Sequence, residues 1–69
     1  MNHTYKVLRD GAEFFAAALS QVRVSVWHVQ GDGQHIIDYG GPVEAYTDIS
    51  IKISGKRYFR DVFEFRVQK

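Results

Sequence analysis

The sequence predicts an α+β domain in which a single helix packs on a mostly antiparallel β-sheet, in the order β-α-β-β-β-β. Three features carry that expectation. A helix-start signature stands at Asp10 and Glu13, a strict two-residue alternation runs from Asp48 to Ser54, and Gly31-Asp32-Gly33 separates two further alternating segments. The chain of 69 residues contains one proline and no repeat or low-complexity stretch, so residues 1–69 read as one small α+β domain. That length lies near the lower limit at which apolar burial alone supports folding.

Tyr5 to Leu8 is a short strand candidate. The helix follows at Gly11 to Gln21, because Asp10 as N-cap and Glu13 three positions later can accept hydrogen bonds from first-turn amides that have no partner within the helix. Phe14, Phe15, Ala18 and Leu19 form its expected buried stripe, and Ala12, Ala16, Ala17 and Ser20 its uncharged remainder.

Val22 to Gln30 alternates as a strand, with Val22, Val24, Val26 and His28 on one face and Arg23, Ser25, Trp27 and Val29 on the other. With Asp32-Gly33 as a type I′ pair, Val29 falls opposite Ile36, His28 opposite Ile37 and Val26 opposite Tyr39. Gly40 to Thr47, with its paired glycines and proline, is expected as a loop. Asp48 to Ser54 turns Ile49, Ile51 and Ile53 inward. Arg57 to Val67 is the last strand, with Phe59, Phe63, Phe65 and Val67 on the core face. A Gly55-Lys56-Arg57 loop would then set Ile53 opposite Phe59, and Asp61 falls on the apolar side unless a bulge intervenes.

Composition narrows the classes further. The chain has no cysteine, which excludes disulfides and thiolate metal sites. The apolar run Phe14 to Leu19 is far short of the roughly 20 residues that span a bilayer. No membrane association is expected, and a cytoplasmic location is. Asn2-His3-Thr4 fits the glycosylation pattern, which without a secretion signal is read as chance. Net charge is +1, but it is unevenly spread. Lys6, Arg9 and Arg23 are outnumbered by Asp10, Glu13, Asp32, Asp38, Glu44 and Asp48, whereas Lys52, Lys56, Arg57, Arg60, Arg66 and Lys69 face only Asp61 and Glu64.

No catalytic, cofactor or metal site is expected. His28 and His35 are diagonal neighbours in the hairpin above, but zinc sites use three or four ligands, and His3 is remote. No serine sits in a glycine-flanked elbow, and Asp38 with Asp48 lacks a concave surface to shield it. The glycine-rich turns have no following helix to direct amides at a phosphate. The chain is therefore expected not to be an enzyme.

Two binding surfaces emerge instead. Trp27, Val29 and Ile36, with Arg23 and Asp38, lie on the sheet face that one helix cannot cover, and Tyr39 and Tyr46 flank an adaptable loop. This is the expected protein-binding surface, and the uncharged helix face adds a candidate homodimer contact. Lys52, Lys56, Arg57, Arg60 and Arg66, with Tyr58 as a stacking ring, form a basic ribbon that suits nucleic acid or an acidic partner. The expected function is a stoichiometric protein-binding inhibitor or adaptor. Small cysteine-free chains of this kind occur among phage and mobile-element proteins that block host defence, anti-CRISPR-type inhibitors included; a protein partner is expected, with a nucleic-acid-handling complex as one candidate target. Nucleic-acid binding through the basic hairpin is the alternative.

Overall fold

Helix α1 (Gly11–Ser20) begins where the local chemistry marks it. Asp10 Oδ1 accepts the Glu13 amide at 2.9 Å, and Glu13 Oε1 accepts the Asp10 and Arg9 amides at 3.3 and 2.7 Å. The Arg9 amide holds the Glu13 carboxyl below its ordinary range. Gln21 closes the helix in the left-handed conformation, one residue short of the expected end. The buried stripe is turned from the expected one. Phe14 and Ala17 enter the core, whereas Phe15 and Leu19 are 55% and 74% exposed. Phe14 sets this rotation, with its ring 5.5 Å from that of Phe65, edge to face, and the Arg60 guanidinium 4.9 Å above it.

The structure, a computed structural model, describes residues 5–68. His3 and the Asn2-His3-Thr4 tripeptide lie outside the described residues. Besides α1, the described residues form seven strands: β1 (Tyr5–Leu8), β2 (Val24–Gln30), β3 (Gly33–Gly41), β4 (Val43–Tyr46), β5 (Ser50–Ile53), β6 (Lys56–Phe59) and β7 (Glu64–Gln68). They form two antiparallel sheets, one ordered β1-β7-β2-β3 and the other β4-β5-β6. The α+β class and the helix-on-sheet packing hold. The strand count rises for two reasons: the expected loop Gly40–Thr47 contains β4, and the expected last strand Arg57–Val67 is two strands in different sheets.

That second break falls where Asp61 interrupted the apolar pattern. Residues 60–63 form a turn, with the Val62 and Phe63 amides donating to the Phe59 carbonyl at 3.2 and 3.1 Å. The turn shifts the face of the strand before it. Tyr58 is buried and Phe59 exposed, the reverse of the expected placement, while Phe63, Phe65 and Val67 do join the core. The β5–β6 turn is Ser54-Gly55, both at positive φ (54° and 77°), which pairs Ile53 with Lys56 and Ile51 with Tyr58. Ile51 and Ile53 are fully buried, but Ile49 precedes the strand and is exposed.

The β2–β3 turn uses Gly31-Asp32, not Asp32-Gly33, and this moves the register. Trp27 pairs with Ile36, His28 with His35 and Val29 with Gln34. An extra residue at Ile37 then intervenes before Val26 pairs with Asp38, and a second irregularity precedes the Val24–Gly41 pair. Because side chains alternate, one inserted residue exchanges the faces of everything beyond it. The chain then crosses to the second sheet through Gly40, Gly41 and Pro42.

Between the sheets, Leu8, Phe65 and Val26 form one row across β1, β7 and β2, with Val67 and Val24 in the next. Val43, Ile51, Ile53 and Tyr58 meet them from the other side, and Phe14 and Ala17 cap the cluster. Gly40 sits where the sheets diverge, at φ 93°, and a Cβ there would lie 1.8 Å from the Val24 carbonyl oxygen. Gly40→Ala is expected to lower stability by more than about 2 kcal/mol in urea unfolding, from the clash and left-handed strain together. Gly31→Ala, which meets open space, should cost about 1 kcal/mol.

Candidate functional site

The face of the four-stranded sheet turned away from α1 and from the second sheet carries a stacked group of aromatic and guanidinium side chains. Its position follows from register: Ser25 pairs with Arg66, Trp27 with Glu64 and Ile36, and Tyr5 with Gln68, so these side chains share one face. The Arg66 guanidinium lies 4.4 Å over the Trp27 ring and 5.9 Å from the Tyr5 ring, and Tyr5 meets Trp27 edge to face at 5.9 Å. Arg66 Nε donates to Glu64 Oε2 at 2.6 Å, and a second guanidinium nitrogen pairs with the same oxygen. The Trp27 indole N–H donates to Ser25 Oγ at 2.9 Å, and the Ser25 hydroxyl donates to the Arg66 carbonyl at 3.1 Å.

These side chains wall a recess of about 260 Å³, completed by Arg23, Ile36 and Tyr39. Arg23, Trp27, Ile36 and Tyr39 of the expected protein-binding set are therefore brought together. Val29 lies on the same strand face, 44% exposed, but beyond the recess. Two members of that set belong elsewhere. Asp38 is turned inward by the bulge at Ile37, where its carboxylate accepts the Tyr58 hydroxyl and the Gly40 amide, both at 2.7 Å. Tyr46 stands in the second sheet opposite Ile51.

Tyr5 and Ser25 were not expected in the site. Alternation in β1 could have paired Tyr5 with Val7, but only the β1-β7-β2 order places Tyr5 beside Trp27.

The expected basic ribbon is taken apart. Tyr58 is a core residue and offers no stacking face. Arg60 donates to the Thr47 carbonyl at 3.0 Å and to the Arg9 carbonyl, joining three segments while covering Phe14. Arg66 belongs to the other sheet and to the Trp27 stack. Lys56 pairs with Ile53 on the inward side of β6, which leaves Lys52 and Arg57 directly opposite one another on the outer face. Arg57 donates to Ser50 Oγ at 3.0 Å.

His28 and His35 are direct cross-strand partners, with the His28 ring 6.0 Å from that of Phe63. Among the described residues no three His, Asp or Glu side chains group as metal ligands would. Ala12, Ala16 and Ser20 line a shallow groove beside Leu8, Val22 and Val67, but Ala17 of the expected flat helix surface is in the core. No helix among the described residues is long and apolar enough to cross a membrane.

Comparison with protein-family models, with curated proteins and with solved structures gives no match.

The Asp38–Tyr58 bond gives stability a pH dependence. The Tyr58 hydrogen bond, aided by the Gly40 amide, holds the Asp38 carboxyl below its ordinary value, and burial with the neighbouring Asp38 pushes the Tyr58 hydroxyl up to about 12. The Asp38 contribution is present above about pH 4 and is lost as pH falls through the lowered folded value. The Tyr58 contribution is present below about pH 10 and is lost as pH rises toward 12. Tyr58→Phe is expected to cost about 1–2 kcal/mol at pH 7 and to flatten the loss of stability between pH 10 and 12 in urea titrations. Arg66→Ala should cost about 1–2 kcal/mol and red-shift the emission of Trp27, the sole tryptophan. An unshifted spectrum would mean that the stack is not maintained in solution.

Proposed function

We propose that this chain is a protein-binding module, an inhibitor or adaptor that works by occupying a partner's surface with the outer face of its four-stranded sheet. The observation that supports it is the Trp27 recess: an aromatic wall, braced by Arg66, on the sheet face turned away from α1 and the second sheet. Tryptophan, tyrosine and arginine are the side chains that most often anchor protein interfaces, because they combine large contact area with few rotatable bonds. An anti-defence inhibitor from a phage or mobile element, acting in the cytoplasm on a nucleic-acid-handling complex, is the specific use we propose. It rests on chain size and composition alone.

A second reading rests on a separate observation. Lys52 and Arg57 face each other across β5 and β6, with exposed Phe59 beside them. Like charges directly opposite destabilise a sheet, and an anion lying between them would relieve the repulsion. Nucleic acid could act there.

Affinity capture from cell extract, with and without nuclease, separates the two. Under the protein-binding reading a stoichiometric partner survives nuclease, is lost on Tyr39→Ala or Trp27→Phe, and withstands Lys52→Ala with Arg57→Ala. The reverse ranking, with capture abolished by nuclease and by added salt, would overturn it in favour of nucleic acid. Retention of the partner by all three variants would overturn both.

A further inference from the structure

We infer that the Trp27 recess takes a segment of a partner protein that seats an apolar side chain against Trp27, Ile36 and Tyr39 and places a neighbouring carboxylate on Arg23. This deepens the docking function proposed above and rests on it.

The polar groups packed around the Trp27 ring are committed within the chain. The Trp27 indole N–H is taken by Ser25, the Ser25 hydroxyl by the Arg66 carbonyl, and the Arg66 charge by Glu64. What the wall offers a visitor is apolar surface. Arg23 carries the one charge of the lining that no ion pair among the described residues takes up. It is exposed at the rim, one residue before β2, and neither ion pair among the described residues involves it, since these join Lys6 to Glu13 and Arg66 to Glu64. An apolar depression bordered by one unmatched guanidinium is complementary to an acid next to an apolar residue. A basic segment would meet like charge, and a neutral one would leave the Arg23 charge unmatched. The planar fork of Arg23 can receive a carboxylate through two parallel hydrogen bonds.

A phosphodiester would also match Arg23. Successive bases, however, need a series of open ring faces, and here the Arg66 guanidinium lies over one face of Trp27 and near the Tyr5 ring, leaving Tyr39, 70% exposed, as the most open ring of the recess. The partner is thus an acidic, apolar protein segment.

The test is selection of random linear peptides displayed on phage against the immobilised chain, followed by Trp27 fluorescence titration with the selected peptides. Arg23→Gln and Tyr39→Ala change exposed side chains and should leave the fold intact. Selected peptides are expected to share an Asp or Glu adjacent to a large apolar residue. Arg23→Gln should weaken them about tenfold, with the loss shrinking as salt rises. Replacing the peptide acid by its amide should cost as much against the wild-type chain and nothing further against Arg23→Gln. Peptides that need Tyr39 but carry no acid, or whose acid matters equally with and without Arg23, would overturn the carboxylate assignment and leave docking at the recess standing. Failure to enrich any peptide above a bare surface, or binding indifferent to Tyr39→Ala and Trp27→Phe, would overturn the recess itself. Single-stranded oligothymidine that displaces the peptides and is lost on Arg23→Gln would assign the site to nucleic acid.

Discussion

The carboxylate of Asp38 is the joint on which both halves of the molecule depend. It lies on β3 of the four-stranded sheet, yet one of its oxygens accepts the hydroxyl of Tyr58 from β6 of the other sheet, and the other accepts the amide of Gly40. The two bonds do different things. The Gly40 bond stabilises the turn out of β3, where the backbone passes so close to Val24 that a side chain has no room. The Tyr58 bond ties the second sheet back across the core. A charged acceptor at a core boundary is costly unless hydrogen-bonded, and here both donors are delivered by the fold itself. Asp38 can reach them only because Ile37 is inserted as an extra residue in β3, which reverses the faces beyond it. The same inversion sends Tyr39 outward to border the Trp27 recess. One inserted residue thus builds the inter-sheet joint and one wall of the site.

A chain this short cannot support two separate cores, and the packing shows how it avoids needing them. Phe14 from the helix, Phe65 from one sheet and Ile51 and Ile53 from the other share a single cluster. Arg60 closes its edge, with its guanidinium over Phe14 and its N–H groups on two backbone carbonyls. Arginine suits that position because its flat, weakly hydrated cation can cover an aromatic ring while still donating in several directions. The basic charge that reads from sequence as a ligand-binding ribbon is in part structural for this reason. Arg60 and Arg66 are each folded back over an aromatic ring, while Lys52 and Arg57 lie opposite one another on the outer face of β5 and β6.

How much of this was legible in the sequence varies with the range over which each feature is determined. The helix start was legible because its chemistry spans three residues, Asp10 to Glu13. The inward alternation of Ile51 and Ile53 was legible too. The hairpin register was not, because Gly31-Asp32-Gly33 contains two overlapping turn pairs, and nothing local decides which of them carries the turn. The inversion at Ile37 was equally hidden, so Asp38 was placed on the docking face while its real partner, Tyr58, was assigned to a basic ribbon. The split of the last strand did leave a trace in Asp61, which fell on an apolar face and marked the turn between β6 and β7. In the site, Trp27 and Ile36 followed from strand faces alone. Tyr5 did not, because its place beside Trp27 depends on β7, from the other end of the chain, lying between β1 and β2.

The stack around Trp27 also bears on how binding there would be organised. Each ordered side chain that must be immobilised at an interface subtracts from affinity, so a wall already fixed in the free protein favours association. Trp27 is held through its indole N–H, one ring face and a neighbouring ring edge, and the group that covers its face, Arg66, is held in turn by Glu64. Opposite this rigid wall, Tyr39 is 70% exposed and follows the inserted Ile37, where the ladder is irregular. A fixed aromatic wall facing an adjustable ring lets one surface combine strict placement of the buried contact with tolerance at its margin. In the docking role proposed above, cross-strand stacking would hold the wall in place while the rim is left to Tyr39 and Arg23.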